Sequence, residues 1–161
     1  KQVIIKGFML TFFKVILLLL LTQMLFAERV EITSDLMEAQ NKEVHFIGNA
    51  KVKKEDDWLH ADRVIVYFDE NNETSRYEAI GRVSFAFKNE KNSFKGSADK
   101  VVYNIVKSLY ELKGKAVVDD LVNKRHVTSE EIILDTVTGN VNVKGSHKKP
   151  AKLIFDTGNK E

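Results

Sequence analysis

Three glycines recur at a constant spacing and define an internal repeat. Gly48, Gly81 and Gly114 lie 33 residues apart, and alternating apolar residues follow each of them, as in Gly-Arg-Val-Ser-Phe at 81–85. Self-similarity at a fixed period is the signature of a repeat architecture. A small residue and an acid precede these glycines, and also Gly145, in the pairs Ser34-Asp35, Ala61-Asp62, Ala98-Asp99 and Ser129-Glu130.

Apolar and polar residues alternate with a period of two in every copy. Val44 and Phe46 fall on one face of a strand, while His45 and Ile47 fall on the other. Stacking such units buries a continuous apolar stripe that a single unit cannot bury, which favours a long, curved all-β body. The same apolar face includes Ala50, Val52, Val83, Phe85, Phe87, Tyr110, Leu112, Ala116 and Val118.

The glycines and acids of the repeat are typical of places where strands bend. Glycine permits a bulge or a close backbone approach, and short acidic side chains hydrogen-bond to nearby backbone at corners. Turn residues between the apolar segments predict the strand limits. The predicted strands lie near 29–33, 36–40, 43–54, 58–68, 74–88, 93–105, 108–119, 126–134, 139–145 and 151–156.

Residues 1–27 differ in composition from the rest of the chain. They contain three lysines and no acid, followed by the apolar run 15–21 and, after a short polar break, by Ala27. This pattern predicts a secretory signal peptide that is cleaved. The alternative is a retained anchor in which Lys14 snorkels and residues 7–27 span the membrane.

Charge and cysteine content restrict the partners and the compartment of residues 28–161. With 22 basic and 23 acidic residues, this part has a net charge of −1, which argues against nucleic acid as a partner. The chain contains no cysteine, so no disulfide stabilises it. Secretion without cysteine fits a bacterial periplasm.

The sequence contains no catalytic constellation and no metal-binding pattern. The histidines His45, His60, His126 and His147 are scattered, and no i, i+4 pair occurs. There is no cysteine nucleophile, nucleophile elbow or phosphate loop. The chain is therefore predicted to be neither an enzyme nor a protein that needs a metal or cofactor.

Of the ten phenylalanines, those in the predicted strands give the apolar face two interpretations. Among them are Phe46, Phe68, Phe85, Phe87 and Phe94. They fill a core, or together they line a groove for acyl chains, where each buried methylene contributes about 0.8 kcal/mol and no polar recognition is needed. Periodicity alone does not separate these interpretations.

Five segments in order resemble one family. The segments 30–35 (VEITSD), 44–52 (VHFIGNAKV), 59–64 (LHADRV), 96–103 (GSADKVVY) and 112–116 (LKGKA) are similar to the OstA/LptA-like periplasmic lipopolysaccharide-transport family. The resemblance covers about residues 29–145. It implies an antiparallel β-jellyroll bent into a V-shaped trough that is open along one side and holds the acyl chains of lipid A. It also implies head-to-tail self-association, and pairing with inner-membrane-anchored and outer-membrane translocon components of the same fold.

The resemblance, combined with the alternation, assigns site residues and domains. The expected docking edges are Arg29, Val30 and Glu31 at the first strand and Val141 and Val143 at the C-terminal strand. The domain is expected at 28–145, followed by a basic tail, 146–161, with a short final strand. The residues expected to contact lipid inside the trough are Val30, Ile32, Phe46, Val52, Leu59, Phe85, Tyr103, Tyr110 and Leu112.

Two other functions remain open at this point. A membrane-anchored sister component of the same pathway shares the fold but keeps its N-terminal helix, whereas here the β pattern begins within three residues of Ala27. A secreted carbohydrate-binding β-repeat module exposes aromatic platforms, whereas here most aromatic residues alternate in phase with aliphatic ones and the sole tryptophan, Trp58, lies at a turn.

Overall fold

The computed structural model describes residues 29–88, 90–135, 137–138 and 140–158. The segment for which a signal peptide is predicted, 1–27, lies outside the described residues. The described chain forms ten β-strands, whose limits agree with the predicted ones within two residues at every end. They are β1 (Glu31–Thr33), β2 (Leu36–Gln40), β3 (Glu43–Lys54), β4 (Asp57–Phe68), β5 (Thr74–Lys88), β6 (Ser93–Asn104), β7 (Leu109–Asp120), β8 (Arg125–Asp135), β9 (Val141–Lys144) and β10 (Lys152–Phe155).

All ten strands belong to one open antiparallel sheet, which confirms the all-β prediction. From β3 to β8, each strand pairs with the next strand along the chain. The two edges differ from this pattern, because β1 and β2 both pair with β3, while β9 and β10 both pair with β8. Each edge of the sheet is therefore formed by two short strands placed end to end.

The repeated glycines lie where the sheet bends. Gly48, Gly81 and Gly114 have φ values of 80°, 82° and 76°, a region that disfavours side chains, and the residue after each glycine also has a positive φ. All five ladders between β3 and β8 shift register beside these glycines. Such bulges bend a strand and increase its twist. We call this row, with the acids opposite the glycines, the bend line.

The bend line divides the sheet into two wings. Each long strand crosses from one wing to the other, whereas each edge strand belongs to one wing only. Wing A contains β2, residues 43–47, 63–68, 74–80, 100–104, 109–113 and 131–135, and β9. Wing B contains β1, residues 50–54, 57–61, 83–88, 93–98, 116–120 and 125–129, and β10.

The acidic pairs of the repeat shift the side-chain alternation by one residue. In β4, Leu59 and Ala61 face the core before the bend line, and Val64 and Val66 face it afterwards. The same shift occurs at the acidic pairs of β6 and β8. The glycine strands β3, β5 and β7 keep strict alternation. Together, these two behaviours keep the apolar face continuous across the bend.

A single core joins the two wings. Val64 of wing A and Val83 of wing B are almost fully buried, although the described residues form no second sheet and no helix. Cover over these side chains therefore comes from the opposite wing, so the two wings face each other. The buried members of this cluster are Ala50, Ala61, Val64, Ala79, Val83, Ala98, Val101, Leu112, Ala116 and Ile132.

Candidate functional site

The inner face of wing B carries a row of side chains that runs from one edge to the other with one gap. Gly96 interrupts this row, and its lack of a side chain makes room for the ring of Phe85, which a Cβ atom at this position would overlap. The residues of the row, each the register partner of the next, are Ile32, Val52, Leu59, Phe85, Gly96, Val118, Val127 and Leu153. A second row beside the bend line contains Ala50, Ala61, Val83, Ala98, Ala116 and Ser129.

Wing A contributes two further rows. They begin at Met37 and Ala39 in β2 and end at Val143 and Val141 in β9. The first row contains Met37, Phe46, Val64, Ala79, Val101, Leu112, Ile132 and Val143, and the second contains Ala39, Val44, Val66, Tyr77, Tyr103, Tyr110, Leu134 and Val141. No residue in the four rows is charged.

Three tyrosines of the second wing A row form a stack. The ring centroids of Tyr77 and Tyr103 are 6.5 Å apart, and those of Tyr103 and Tyr110 are 4.2 Å apart. Burial, followed by the neighbouring Tyr103 and by the charge of Asp57 on wing B, raises the pKa of Tyr110 to about 12. Tyr110 is already uncharged at physiological pH at the usual tyrosine pKa of about 10, and this rise moves its ionisation further from that range.

Charged groups on the inner face of wing B lie at its rim. Asp120 in β7 accepts hydrogen bonds from the backbone and side chain of Asn123 and from Arg125, whose Nη2 atom is 2.7 Å from Oδ2 of Asp120. Burial acts to raise the pKa of Asp120, but these hydrogen bonds outweigh it and lower the pKa to about 2. The ionised carboxylate fixes the turn between β7 and β8, outside the four uncharged rows.

The outer face of wing A carries ion pairs beside two buried apolar residues, Ile65 and Val102. Lys100 lies 2.9 Å from Glu78, and Lys113 lies 2.7 Å from Glu111. Burial acts to raise the pKa of Glu78, but hydrogen bonds from Lys100 and Tyr67 outweigh it, so the pKa lies below its usual value. The outer face of wing A therefore combines charged with apolar side chains, whereas the inner rows of this wing contain no charged residue.

Most of the sequence-predicted lipid contacts are brought together on the inner face. Ile32, Val52, Leu59 and Phe85 are consecutive partners in the wing B row. Phe46 and Leu112 belong to the first wing A row, and Tyr103 and Tyr110 to the second. Val30 precedes β1 and is exposed, and Leu112 is buried in the core. Contact of these residues with lipid stays a prediction.

The sequence reasoning missed the inner residues closest to the edges. Met37 in β2 and Leu153 and Phe155 in β10 extend the inner face to the two ends of the sheet, and all three are exposed. Their signal was present in the sequence as alternation within 36–40 and 152–155, but these segments are too short for the period to stand out.

The structure places the predicted docking residues at the two edges and adds a second strand to each. Arg29 and Val30 precede β1, Glu31 is its first residue, and Val141 and Val143 belong to β9. The first edge also contains β2, and the last edge also contains β10. Docking through these residues stays a prediction.

Histidine and acidic side chains form other local contacts. Nε2 of His45 lies 2.8 Å from Glu43, and Nδ1 of His126 lies 2.5 Å from Asp119, each as an isolated pair. Within the described residues, no group of three or more such side chains is placed to hold a metal ion. None of the described segments forms a helix with the length and hydropathy needed to cross a bilayer.

Comparison with known proteins assigns a family. The profile of the family described as LptA/(LptD N-terminal domain) LPS transport protein matches residues 27–143. A solved structure, LptH, the LptA homologous periplasmic component of the conserved lipopolysaccharide transport device from Pseudomonas aeruginosa, superposes with a TM-score of 0.70 at 16% sequence identity. The match covers 80% of this chain and 96% of that chain, and shows a shared fold. No curated protein matches the chain.

Proposed function

The chain belongs to the LptA/LptD N-terminal family of lipopolysaccharide transport proteins, and from this premise we propose that it carries lipopolysaccharide through the periplasm with the acyl chains of lipid A between its two wings. The family transports its cargo without enzymatic chemistry, which agrees with the absence of a catalytic motif in the sequence.

The observation that carries this proposal is the continuity of the uncharged inner rows. Three of the four rows run from the β1–β2 edge to the β9–β10 edge, and none of the four contains a charged residue. An acyl chain between the wings gains about 0.8 kcal/mol for each methylene removed from water and needs no polar partner. Exposed apolar side chains at both edges, such as Met37 and Phe155, extend this surface to the ends of the molecule.

The second part of the proposal is transfer along a chain of proteins. The outer sides of the two edges have no partner strand within the described residues, and such edges accept a further strand. Because the two edges are different surfaces, pairing one with the other is heterologous and produces open chains. We therefore propose that copies of this protein associate head to tail between inner- and outer-membrane components of the same fold.

Lipid uptake by variants on the two faces of one strand tests the first part. Phe46→Asp introduces a charge on the inner face, and Ile47→Asp is the matched control on the outer face of β3. We expect Phe46→Asp to lower lipopolysaccharide uptake about tenfold or more, because a carboxylate beside acyl chains is costly, and Ile47→Asp to bind like the wild type. Thermal unfolding verifies that both variants are folded.

The same assay includes polysaccharide from which the acyl chains have been removed. The proposal requires that this ligand is not taken up. Full lipopolysaccharide uptake by a folded Phe46→Asp protein, or equal uptake of the two ligands, would contradict it and favour a carbohydrate-binding module.

We also propose that residues 1–27 are a signal peptide that is removed on export. N-terminal sequencing of the exported protein tests this directly. A first residue at Glu28 supports a cleaved carrier, whereas an intact N-terminus would identify the membrane-anchored sister component.

A further inference from the structure

Each edge of the sheet is one crossing strand that is broken at the bend line. β1 and β2 run in sequence from wing B to wing A, and the break between them contains Asp35. β9 and β10 run in sequence from wing A to wing B, and the break between them begins at Gly145. The two edges therefore run in opposite directions, as adjacent strands of an antiparallel sheet must.

The backbone groups of both wing A edges point towards free space at matching positions. The amide of Asp135 donates a hydrogen bond to the carbonyl of Asn140 (2.9 Å), so alternation along β9 directs Asn142 towards β8 and both Val141 and Val143 outwards.

At the other edge, Asn41 and Lys42 have positive φ and form a two-residue turn between Gln40 and Glu43. In such a turn the flanking residues are a hydrogen-bonded pair, so Met37 and Ala39 direct their backbone groups outwards.

We propose that a second copy of this chain docks its β1–β2 edge on β9–β10 in the register that continues the bend line. This inference rests on the proposed head-to-tail association and specifies its geometry. Extending the side-chain rows by one strand places Met37 of the second copy opposite Val143, Ala39 opposite Val141, and Ile32 opposite Leu153. A slip of one residue would move every apolar side chain of the docked edge to the wrong face.

The bend line itself continues across this junction. In β3, β5 and β7, a glycine lies opposite an acid of the following strand, as Gly81 lies opposite Asp99. In the proposed register, Asp35 of the second copy occupies this position beside Gly145. The junction thus repeats the alternation of glycine and acid that each sheet already contains.

The charges of the two edges are complementary. The first edge, residues 31–40, contains three acids and no basic residue, whereas residues 141–155 contain four lysines and no acid. In the proposed register, Lys144 lies diagonally across from Glu38 of the second copy, and Lys152 lies diagonally across from Glu31. Diagonal neighbours on one face of a sheet are about 7–8 Å apart, within reach of long side chains.

The segment between β9 and β10 leaves the docking edge open. Ser146 and Lys149 close a turn through paired backbone hydrogen bonds of 2.8 and 3.2 Å. Lys149 and Pro150 line a shallow depression of about 280 Å³ together with Lys115, Thr128 and Glu130 of β7 and β8. This segment therefore folds back over its own sheet instead of covering the outer side of β9 and β10.

Cysteine crosslinking tests the register, because the chain has no native cysteine. In the double variant Met37→Cys/Val143→Cys, the two cysteines of neighbouring copies lie at directly opposed positions. Because both residues direct their backbone groups towards the junction, they form a hydrogen-bonded pair with Cα atoms about 5.5 Å apart, which a disulfide can bridge. We expect a ladder of crosslinked oligomers under mild oxidation. The matched control Ala39→Cys/Val143→Cys is displaced by two residues and should give no ladder.

Charge reversal tests the ion pairs. The variant Glu31→Lys/Glu38→Lys and the variant Lys144→Glu/Lys152→Glu each bring like charges together at the junction, so we expect each to self-associate about tenfold more weakly. Because each variant then complements the other at both edges, an equimolar mixture should regain the wild-type association. Light scattering as a function of concentration measures both effects.

Three results would overturn the inference, and they separate it from the proposed function. A ladder from the displaced cysteine pair, with association insensitive to charge reversal, would reject this register while leaving head-to-tail association intact. A wild-type protein that stays monomeric over about a hundredfold concentration range would reject both. Loss of lipopolysaccharide uptake in Lys144→Glu/Lys152→Glu with unchanged association would assign these lysines to the lipid headgroup.

Discussion

The central strands and the edge strands of this sheet share one side-chain pattern but differ in cover. In the first wing A row, Leu112 at the centre is 5% exposed, whereas Met37 at the first edge is 63% exposed. The central side chains lie beneath the opposite wing and between neighbouring strands, and the edge side chains lack a neighbour on one side. The same alternation therefore stabilises the fold in the centre and supplies a binding surface at the edges.

Truncation at the two ends of one row should show the largest difference. We expect Leu112→Ala to lower the free energy of unfolding by about 2–5 kcal/mol, because it leaves a cavity in the core. Met37→Ala on the same row should change it by only about 0.5 kcal/mol. Denaturant unfolding of the two variants measures both values, and equal losses would refute the distinction between centre and edge.

The turn carboxylates provide a second, smaller contrast. Asp120→Asn should lower the free energy of unfolding at pH 7 by about 1–3 kcal/mol, because it removes charge-assisted hydrogen bonds in the turn between two central strands. Asp135→Asn, in the exposed turn that leads to β9, is the matched edge variant and should cost less.

The stability contributed by Asp120 depends on pH in a defined direction. Its folded-state pKa of about 2 lies below the usual unfolded value of about 3.9, so the contribution is complete above about pH 4 and is lost as the pH falls towards 2. The difference between wild type and Asp120→Asn should shrink over this range. A difference that persists unchanged at pH 2 would contradict the role given to the ionised carboxylate.

A methyl group at the bend line should have a still smaller effect. Gly81→Ala places a side chain at a φ of 82° and against the carboxylate of Asp62, so we expect a loss of about 1–2 kcal/mol. Gly158→Ala adds the same methyl group where nothing lies within 4 Å and should be neutral. Thermal melting compares the pair, and a neutral Gly81→Ala would remove the conformational reason for the repeated glycine.

Proline at the last edge should alter association and leave stability almost unchanged. Val141→Pro removes an outward-facing amide from β9, so we expect weaker concentration-dependent growth in light scattering and an unchanged unfolding midpoint. Asn142→Pro removes an amide that faces β8 and should lower the midpoint as well. Wild-type association in Val141→Pro would show that docking does not use this ladder.

Sequence alternation predicted the fold well where the alternation is uninterrupted. It placed Phe46, Phe85 and Tyr110 on one face because β3, β5 and β7 keep their period through the glycines. Strict alternation from Leu59 would have placed Arg63 on the same face, whereas the shift at the acidic pair brings Val64 there instead. Such a shift depends on the neighbouring bulges, which a local period does not contain.

The edges were predicted less completely than the centre. The segments 36–40 and 151–156 were predicted as strands, but their sequence does not indicate the strand with which each of them pairs. β2 pairs with β3 beyond the end of β1 because the chain turns a corner at Asp35. β10 returns to β8 because of the turn that follows Gly145. Pairings between distant segments are set by the whole sheet, so the shared edges emerged only in the structure.

One repeat of 33 residues contributes two crossing strands, and this even number determines how the molecule can vary in size. Adding or removing one repeat changes the width of the sheet by about 10 Å, since neighbouring strands are about 4.8 Å apart. The last edge strand keeps its direction and the same side chains on the inner face. This follows because two crossing strands return the chain to the wing from which it started. Duplication of the repeat can therefore widen the sheet while the residues at its two edges stay the same.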